Sequence, residues 1–192
     1  MDSTGLKVYG EGEWKVRQYG YGKHRTCRKI HLAVDSQTRF IHAMELTTNA
    51  VDDAAMVKPM LNKIKCKVKK LGADGAYDKL KVYNTLEHAK IKPIIPPQKN
   101  ARIQRHGNRK GRTHSRDKAI RYIRKQGRKK WKQVHHYHKR SIVENTMYRY
   151  KIIFGDKLQA KKLENQMIEA ALNCKILNKR TAFGMPKTVK VA

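Results

Sequence analysis

The alternation of extended and helical patterns in the first half of the sequence constrains the fold more than any other feature. Residues 28–34 and 39–47 are apolar, extended segments on either side of the polar turn 35–38, and together they predict a β-hairpin. Apolar side chains then recur at helical spacing over residues 54–64, directly after two carboxylates that suit the positive end of a helix.

A second run of extended, helical and extended patterns follows. Residues 68–73 predict a strand that ends at Asp74 and Gly75. Asp78 is then expected to cap a helix that continues to about residue 90, and residues 91–95 predict a further strand that is stopped by two prolines. Strands, helix, strand, helix and strand in this order indicate a mixed α/β fold.

The remaining sequence is expected to be largely helical. Residues 98–114 lack periodicity and predict a loop, whereas a basic helix should begin at Ser115 and break near Gly127. We expect one long helix over residues 131–154. A last helix over residues 157–178 should bury an apolar face made of Leu158, Leu163, Met167, Ala170, Ala171, Cys174 and Leu177.

The charge of the chain points to a polyanionic partner. Its 192 residues carry a formal net charge of +30, and residues 99–132 hold fifteen Lys and Arg but only one acid, Asp117. Nucleic acid is the expected partner. A membrane surface would also attract this charge, but no apolar run has the length of a transmembrane span and no signal segment precedes Met1. The expectation is a soluble protein of the cytoplasm.

The three cysteines do not suggest a disulfide framework or a zinc ribbon. Cys27, Cys66 and Cys174 are odd in number, widely spaced and never in a Cys-x-x-Cys pair. We expect them to be small buried apolar residues.

Four side chains form a stripe if residues 137–151 are helical. Tyr137, Arg140, Glu144 and Lys151 then fall within an arc of roughly 60° and span ~21 Å. A lone acid among cations and a phenol suits a metal ion beside a phosphodiester. The alternative is a solvated helix face on which Glu144 pairs with Arg140, and the spacing by itself favours that alternative.

The same four residues carry a family resemblance. Their spacing, Tyr-x2-Arg-x3-Glu-x6-Lys, resembles the Tyr-Arg-Glu-Lys signature of DDE transposases from bacterial insertion sequences. Ala-Asp-Gly-Ala-Tyr at 73–77 resembles the second-aspartate motif of that family, and Asp-Ser-Thr-Gly-Leu-Lys at 2–7 resembles the first. The resemblance runs in order from Asp2 to the carboxyl end of the chain.

The resemblance implies a fold, a site and a cofactor. It implies a ribonuclease-H-like α/β fold in which Asp2, Asp74 and Glu144 converge as catalytic residues and bind two magnesium ions, or manganese in their place. Tyr137, Arg140 and Lys151 are then assigned to DNA phosphates near the cut. The physical chemistry agrees, because hard divalent cations prefer oxygen donors and a guanidinium offers a planar fork to phosphate.

Each acid also has a structural interpretation. Asp74 before Gly75 is otherwise a turn residue, and Asp2 is otherwise an ordinary terminal residue that should be loosely held. The Met1 amino group beside it should also repel cations.

Two basic segments are further candidates for DNA contact. Arg109, Lys110 and Arg112 lie in the basic loop, and the glycine-rich segment 10–28 interleaves aromatic with basic residues. For the second segment, base stacking and a β-ribbon packed on the fold are equally supported. His135, His136 and His138 are not expected to bind a metal.

The expected function is DNA transposition: metal-dependent cleavage of transposon ends and strand transfer into target DNA. One DDE domain should cover residues 1–192, lacking its amino-terminal part and carrying a basic insertion at about 98–130. A homo-oligomer on paired DNA ends, associated with the bacterial nucleoid, follows from the resemblance. The alternatives are a truncated inactive remnant, a basic nucleic-acid-binding protein without catalysis, and a nuclease that cuts without joining.

Overall fold

The computed structural model describes residues 1–8, 27–104 and 114–184. In this part of the chain the strands are β1 (Asp2–Val8), β2 (Cys27–Val34), β3 (Ile41–Thr48), β4 (Lys70–Gly72), β5 (Lys92–Ile94) and β6 (Lys157–Leu158). The α-helices are α1 (Val57–Lys63), α2 (Leu80–His88), α3 (Ser115–Gln126), α4 (Arg128–Val134), α5 (Ser141–Phe154) and α6 (Leu163–Ala182). Short 3-10 helices cover Asp53–Met56, Gly75–Tyr77 and Tyr137–Arg140.

A four-stranded mixed sheet forms the centre of the fold, in the order β3-β2-β1-β6. Strands β1, β2 and β3 are antiparallel neighbours, and β6 pairs in parallel with β1. Strands β4 and β5 form a separate parallel pair. The predicted hairpin is confirmed as β2 and β3, and the mixed α/β class is confirmed as well.

Helices cover both faces of the sheet because successive side chains of a strand point to opposite sides. Ile30 and Leu32 of β2 pack with α5 and α6, whereas Ala33 contributes to a second apolar cluster with α1, α2 and the β4–β5 pair. Both clusters contain fully buried side chains, such as Leu32 and Met60. No described helix is long and apolar enough to cross a membrane.

The prediction that Asp78 caps a helix is wrong. Lys79 holds the N-cap position of α2 and makes no side-chain capping bond. The Asp78 carboxylate instead accepts hydrogen bonds from Arg116 Nε at 2.7 Å, Arg116 Nη2 at 3.1 Å and the backbone N–H of Gln98 at 2.9 Å. This buried pair joins the start of α3 to the residues just before α2.

The prediction of one helix over residues 131–154 is also wrong. The break at Gly127 is confirmed, with φ at +82°. Helix α4 then ends at Val134, and His136 adopts φ +52°, a left-handed conformation that cannot continue a right-handed helix. A 3-10 turn leads from there into α5.

The last predicted helix begins later than expected. Lys157 and Leu158 form β6 after Gly155, which has φ +86°, and α6 starts at Leu163. Ala170, Cys174 and Leu177 are buried as predicted, whereas Leu163 and Met167 are exposed. The predicted helical spacing of these three residues is correct, but the helix begins only at Leu163 because Lys157 and Leu158 form a strand.

Candidate active site

Asp2 is held firmly by the sheet, so the expectation of a loose carboxylate is wrong. It lies in β1 opposite Leu32, and its Oδ1 accepts the N–H of Ser3 at 2.9 Å. The amino group of Met1 donates to the carbonyl of Gly72 at 2.7 Å. Burial lowers the pKa of this amino group to about 6. This lowered pKa weakens the expected repulsion of cations.

Arg140 connects two of the three predicted acids. Its Nη1 donates to Asp2 Oδ2 at 2.5 Å, and its Nη2 donates to Glu144 Oε1. Burial alone would lower the pKa of Arg140, but Tyr137, Asp2 and Glu144 raise it overall, so the guanidinium stays charged. Arg140 thus joins Asp2, which is 138 positions away in sequence, to Glu144, which is four positions away.

Asp74 lies beside this pair and also serves as the turn residue that the sequence suggested. It follows β4, and its Oδ1 accepts the N–H of Ala76 at 2.9 Å as the N-cap of the 3-10 turn Gly75–Tyr77. Burial raises the pKa of Asp2, and the negative charge of Asp74 raises it further, against the opposing effects of the Ser3 N–H and Arg140. Asp74 and Asp2 are therefore close enough to interact electrostatically.

Lys151 and Tyr137 contact the strand and the guanidinium on which Asp2 depends. Lys151 Nζ donates to Thr4 Oγ1 at 2.8 Å, which anchors α5 to β1 two residues beyond Asp2. The Tyr137 ring lies under Arg140, with the guanidinium carbon 5.7 Å from the ring centroid. Burial raises the pKa of Tyr137, so its phenol stays protonated.

The four residues of the predicted stripe converge although they do not share one α-helix. Tyr137 and Arg140 lie in a 3-10 turn, and Glu144 and Lys151 lie in α5. Arg140 has helical dihedral angles, φ −62° and ψ −29°, so the helical phase passes from the turn into α5. This continuity explains why the i,i+4 relation between Arg140 and Glu144 holds.

The transposase DDE domain family matches residues 1–179, a stretch that contains all three acids and the whole described sheet. The chain belongs to this family. No solved structure matches it. The mixed sheet with flanking helices is consistent with the ribonuclease-H-like fold of DDE transposases.

Members of the DDE transposase family generally use divalent metal ions. Within the described residues of this transposase domain, no group of three or more His, Cys, Asp and Glu side chains is arranged to hold a metal ion. Asp2, Asp74 and Glu144 offer the hard oxygen donors that a divalent cation prefers. The donor chemistry therefore fits such an ion, while Arg140 supplies the positive charge between Asp2 and Glu144 in this arrangement.

A basic cleft adjoins the acids of the transposase domain. Its walls include Tyr137 and Arg140, and four lysines also line it: Lys67, Lys69, Lys70 and Lys139. Their positive charge suits a polyanionic backbone. Arg140, which lines the cleft, also bonds to Asp2 and Glu144 and so links the cleft to two of the acids.

The sequence did not identify Thr4 as a site residue. Asp2 and Thr4 are two residues apart in one strand and therefore share a face of the sheet. That alternation was visible in the sequence and could have revealed Thr4.

Several candidates remain predictions. Arg109, Lys110 and Arg112 lie outside the described residues. Residues 10–26 of the glycine-rich segment also lie outside them. His135 stacks on Trp131 with ring centroids 4.7 Å apart, while His136 and His138 pack edge to face at 5.9 Å. These contacts give the histidines packing partners near the site.

Proposed function

We propose that this domain catalyses divalent-metal-dependent cleavage of transposon ends and strand transfer into target DNA, as a member of the Tyr-Arg-Glu-Lys subgroup. The observation that carries the proposal is the meeting of Asp2 and Glu144 at Arg140, with the charge of Asp74 acting on Asp2. A structural ion pair needs one acid for one guanidinium. Two acids on one guanidinium, with the charge of a third acting on one of them, in a chain of net charge +30, suggest that further positive charge arrives with the ligand.

Asp2, Asp74 and Glu144 would hold the metal, two magnesium ions or manganese in their place. When bound, such ions activate the attacking oxygen and stabilise the leaving oxygen of a phosphodiester. Strand β1, the turn after β4 and helix α5 each present one carboxylate, so the rigid sheet and helix set the spacing of the ligands.

The cations of the site would bind the DNA backbone. In the proposed working state, Arg140 moves from the carboxylates to a phosphate, for which its planar fork is suited. Lys151, whose Nζ donates to Thr4, would contact a phosphate from that position. The Tyr137 ring would stay packed against the guanidinium of Arg140.

DNA would enter along the basic cleft beside the site. The lysines of that cleft would contact phosphates without reading sequence. The basic insertion at about 98–130, with Arg109, Lys110 and Arg112, would extend this contact, and two copies of the chain would act on paired ends.

The experiment is a cleavage and joining assay on labelled DNA that carries the terminal sequences flanking the coding region. We expect Glu144→Gln to abolish magnesium-dependent cleavage with little change in DNA affinity, because the substitution removes a metal ligand but no cation. Glu45→Gln is the matched control, since Glu45 lies on β3 and pairs with Lys63. Its cleavage rate should equal that of the wild type.

The same assay separates the alternatives. Cut but unjoined ends would indicate a nuclease without strand transfer. Binding without any cut would indicate a nucleic-acid-binding protein, and cleavage by Glu144→Gln at the wild-type rate would refute the site.

A further inference from the structure

Three arginines from separate elements lie close together at the turn of the β2–β3 hairpin. Arg149 of α5 is partly buried and donates from Nη1 and Nη2 to Thr181 Oγ1, at 3.3 and 3.2 Å. Arg180 precedes Thr181 in the last turn of α6. Arg39 lies in the hairpin turn and is exposed. The turn, α5 and α6 therefore each contribute one guanidinium.

The side chain of Asn178 fixes the hairpin against α6. Its Oδ1 accepts the N–H of Ile41 at 2.8 Å, and its Nδ2 donates to the carbonyl of Ile41 at 2.9 Å. Arg39 stands two residues before Ile41, has φ +63° and donates its N–H to the carbonyl of Asp35 at 3.0 Å. The position of Arg39 beside the end of α6 is therefore set by backbone contacts.

The charges that act on Arg149 are all positive. Burial lowers the pKa of Arg149, and the positive charges of Arg180 and Arg39 lower it further. In the part of the chain that the structure describes, no carboxylate forms an ion pair with any of the three guanidinium groups. This arrangement differs from Arg140 and Arg116, which both bond to carboxylates.

The negative groups nearest to the three arginines do not replace a counterion. Asp35 belongs to the hairpin turn, where its Oδ1 accepts the N–H of Gln37 at 2.7 Å and its Oδ2 lies 3.9 Å from His42 Nε2. The carboxyl end of α6 carries only about half an elementary charge. The mutual repulsion of the three cations is therefore a cost that an anionic ligand would remove.

We propose that this arginine cluster, Arg39, Arg149 and Arg180, binds a phosphate of the DNA backbone outside the basic cleft. A guanidinium offers a planar fork to phosphate oxygens, and Thr181 already holds Arg149 in place. Residues 35–37 of the hairpin turn line the basic cleft, so the turn connects the two sites. A duplex that extends from the cleft across this turn would reach the cluster. The inference rests on the proposed DNA partner but not on cleavage.

The test is binding of duplex DNA by the full chain, measured by fluorescence anisotropy across a salt series. Arg39→Gln should weaken binding several-fold and make the salt slope shallower by about 0.9, and Arg180→Gln should do the same. Lys175→Gln is the matched control, because it removes one exposed positive charge from α6 that is not among those acting on Arg149. Slope changes no larger than that of the control would overturn the proposal.

The stability of the protein without DNA tests the repulsion. Arg39→Gln should raise Tm by about 1–2 °C, and by more than Lys175→Gln does, because it relieves the repulsion on Arg149. An arginine that only stabilised the hairpin would have the opposite effect. A lower Tm for Arg39→Gln would therefore contradict the proposal.

Inorganic phosphate distinguishes the two sources of the anion. Compared with chloride at equal ionic strength, it should raise the Tm of the wild type more than that of Arg39→Gln. If this difference appears while both proteins bind DNA equally, the cluster binds a free phosphate ion and the assignment to DNA is wrong. If the wild type binds no duplex DNA, the proposed function fails together with this inference. Normal wild-type binding with unchanged variants refutes the cluster alone.

Discussion

Arg140 Nη1 lies 2.5 Å from Asp2 Oδ2, while the other arm of the same guanidinium reaches Glu144. A cation of the chain therefore neutralises two carboxylates that we propose as metal ligands. Any metal ion that binds both acids must compete with this guanidinium. The same competition would release Arg140 toward a phosphate, so that metal binding and DNA binding strengthen one another.

Removing the guanidinium should therefore raise metal affinity. For Arg140→Gln we expect Mn²⁺ to bind several-fold more tightly than to the wild type in the absence of DNA, measured by electron paramagnetic resonance. Arg149→Gln is the control, since Arg149 lies in α5, the helix that Arg140 precedes, but donates to Thr181. Weaker Mn²⁺ binding to Arg140→Gln would show that Arg140 only positions the acids. No binding to either protein would refute the metal site itself.

The buried pair of Asp78 and Arg116 should matter for stability. Asp78→Asn leaves Arg116 buried without its charge partner, and we expect a loss of about 3–5 kcal/mol in the free energy of unfolding. Asp52→Asn removes the exposed pair of Asp52 with Lys79 and should cost less than about 1 kcal/mol. Urea denaturation measures both. Equal losses would show that burial of the first pair contributes nothing.

The thiols should differ in reactivity. Burial raises the pKa of Cys174 to about 12, so the reactive thiolate is scarce at pH 8. Cys66 is exposed. We expect a disulfide reagent to label Cys66 rapidly and Cys174 only after unfolding, with peptide mass spectrometry to locate the label. Rapid labelling of Cys174 in the folded protein would contradict the packing of α6.

DNA affinity should fall steeply with salt, by a slope of about −0.9 for each phosphate neutralised on duplex DNA. Replacing Arg109, Lys110 and Arg112 with Gln should make this slope shallower by roughly two to three. Fluorescence anisotropy across a salt series provides the measurement. An unchanged slope would mean that these three residues face away from the DNA.

Short-range sequence patterns predicted the elements whose conformation depends on neighbouring residues. The hairpin follows from alternation around a polar turn, and the break at Gly127 follows from the left-handed freedom of glycine. His136 also ends a helix with a positive φ, in the left-handed helical region at φ +52° and ψ +41°, but histidine carries no such signal. That difference explains why one long helix was expected over residues 131–154.

Distant contacts could not be inferred from local patterns. Asp78 has the position of a helix cap, but it pairs with a residue 38 positions away that only the fold brings near. The family motifs identified Asp2, Arg140 and Glu144 as candidates. Their junction through a single guanidinium depends on how α5 lies across β1, which no pattern within either element contains.

The two-residue strand β6 makes the connection after α5 intolerant of insertions and deletions. The backbone N–H of Lys7 donates to the carbonyl of Asp156 at 2.8 Å, and Lys7 Nζ pairs with the Asp156 carboxylate at 2.7 Å. Val8 lies in register with Leu158. Helix α5 is therefore attached to β1 at both ends. Arg140 bonds to Asp2 at its start, and β6 pairs with β1 just beyond its end. One residue inserted within α5 would rotate one attachment relative to the other by about 100° and move it by about 1.5 Å along the helix. The contacts at the two ends of α5 could then not both be kept, so length variation among functional copies should spare residues 141–158.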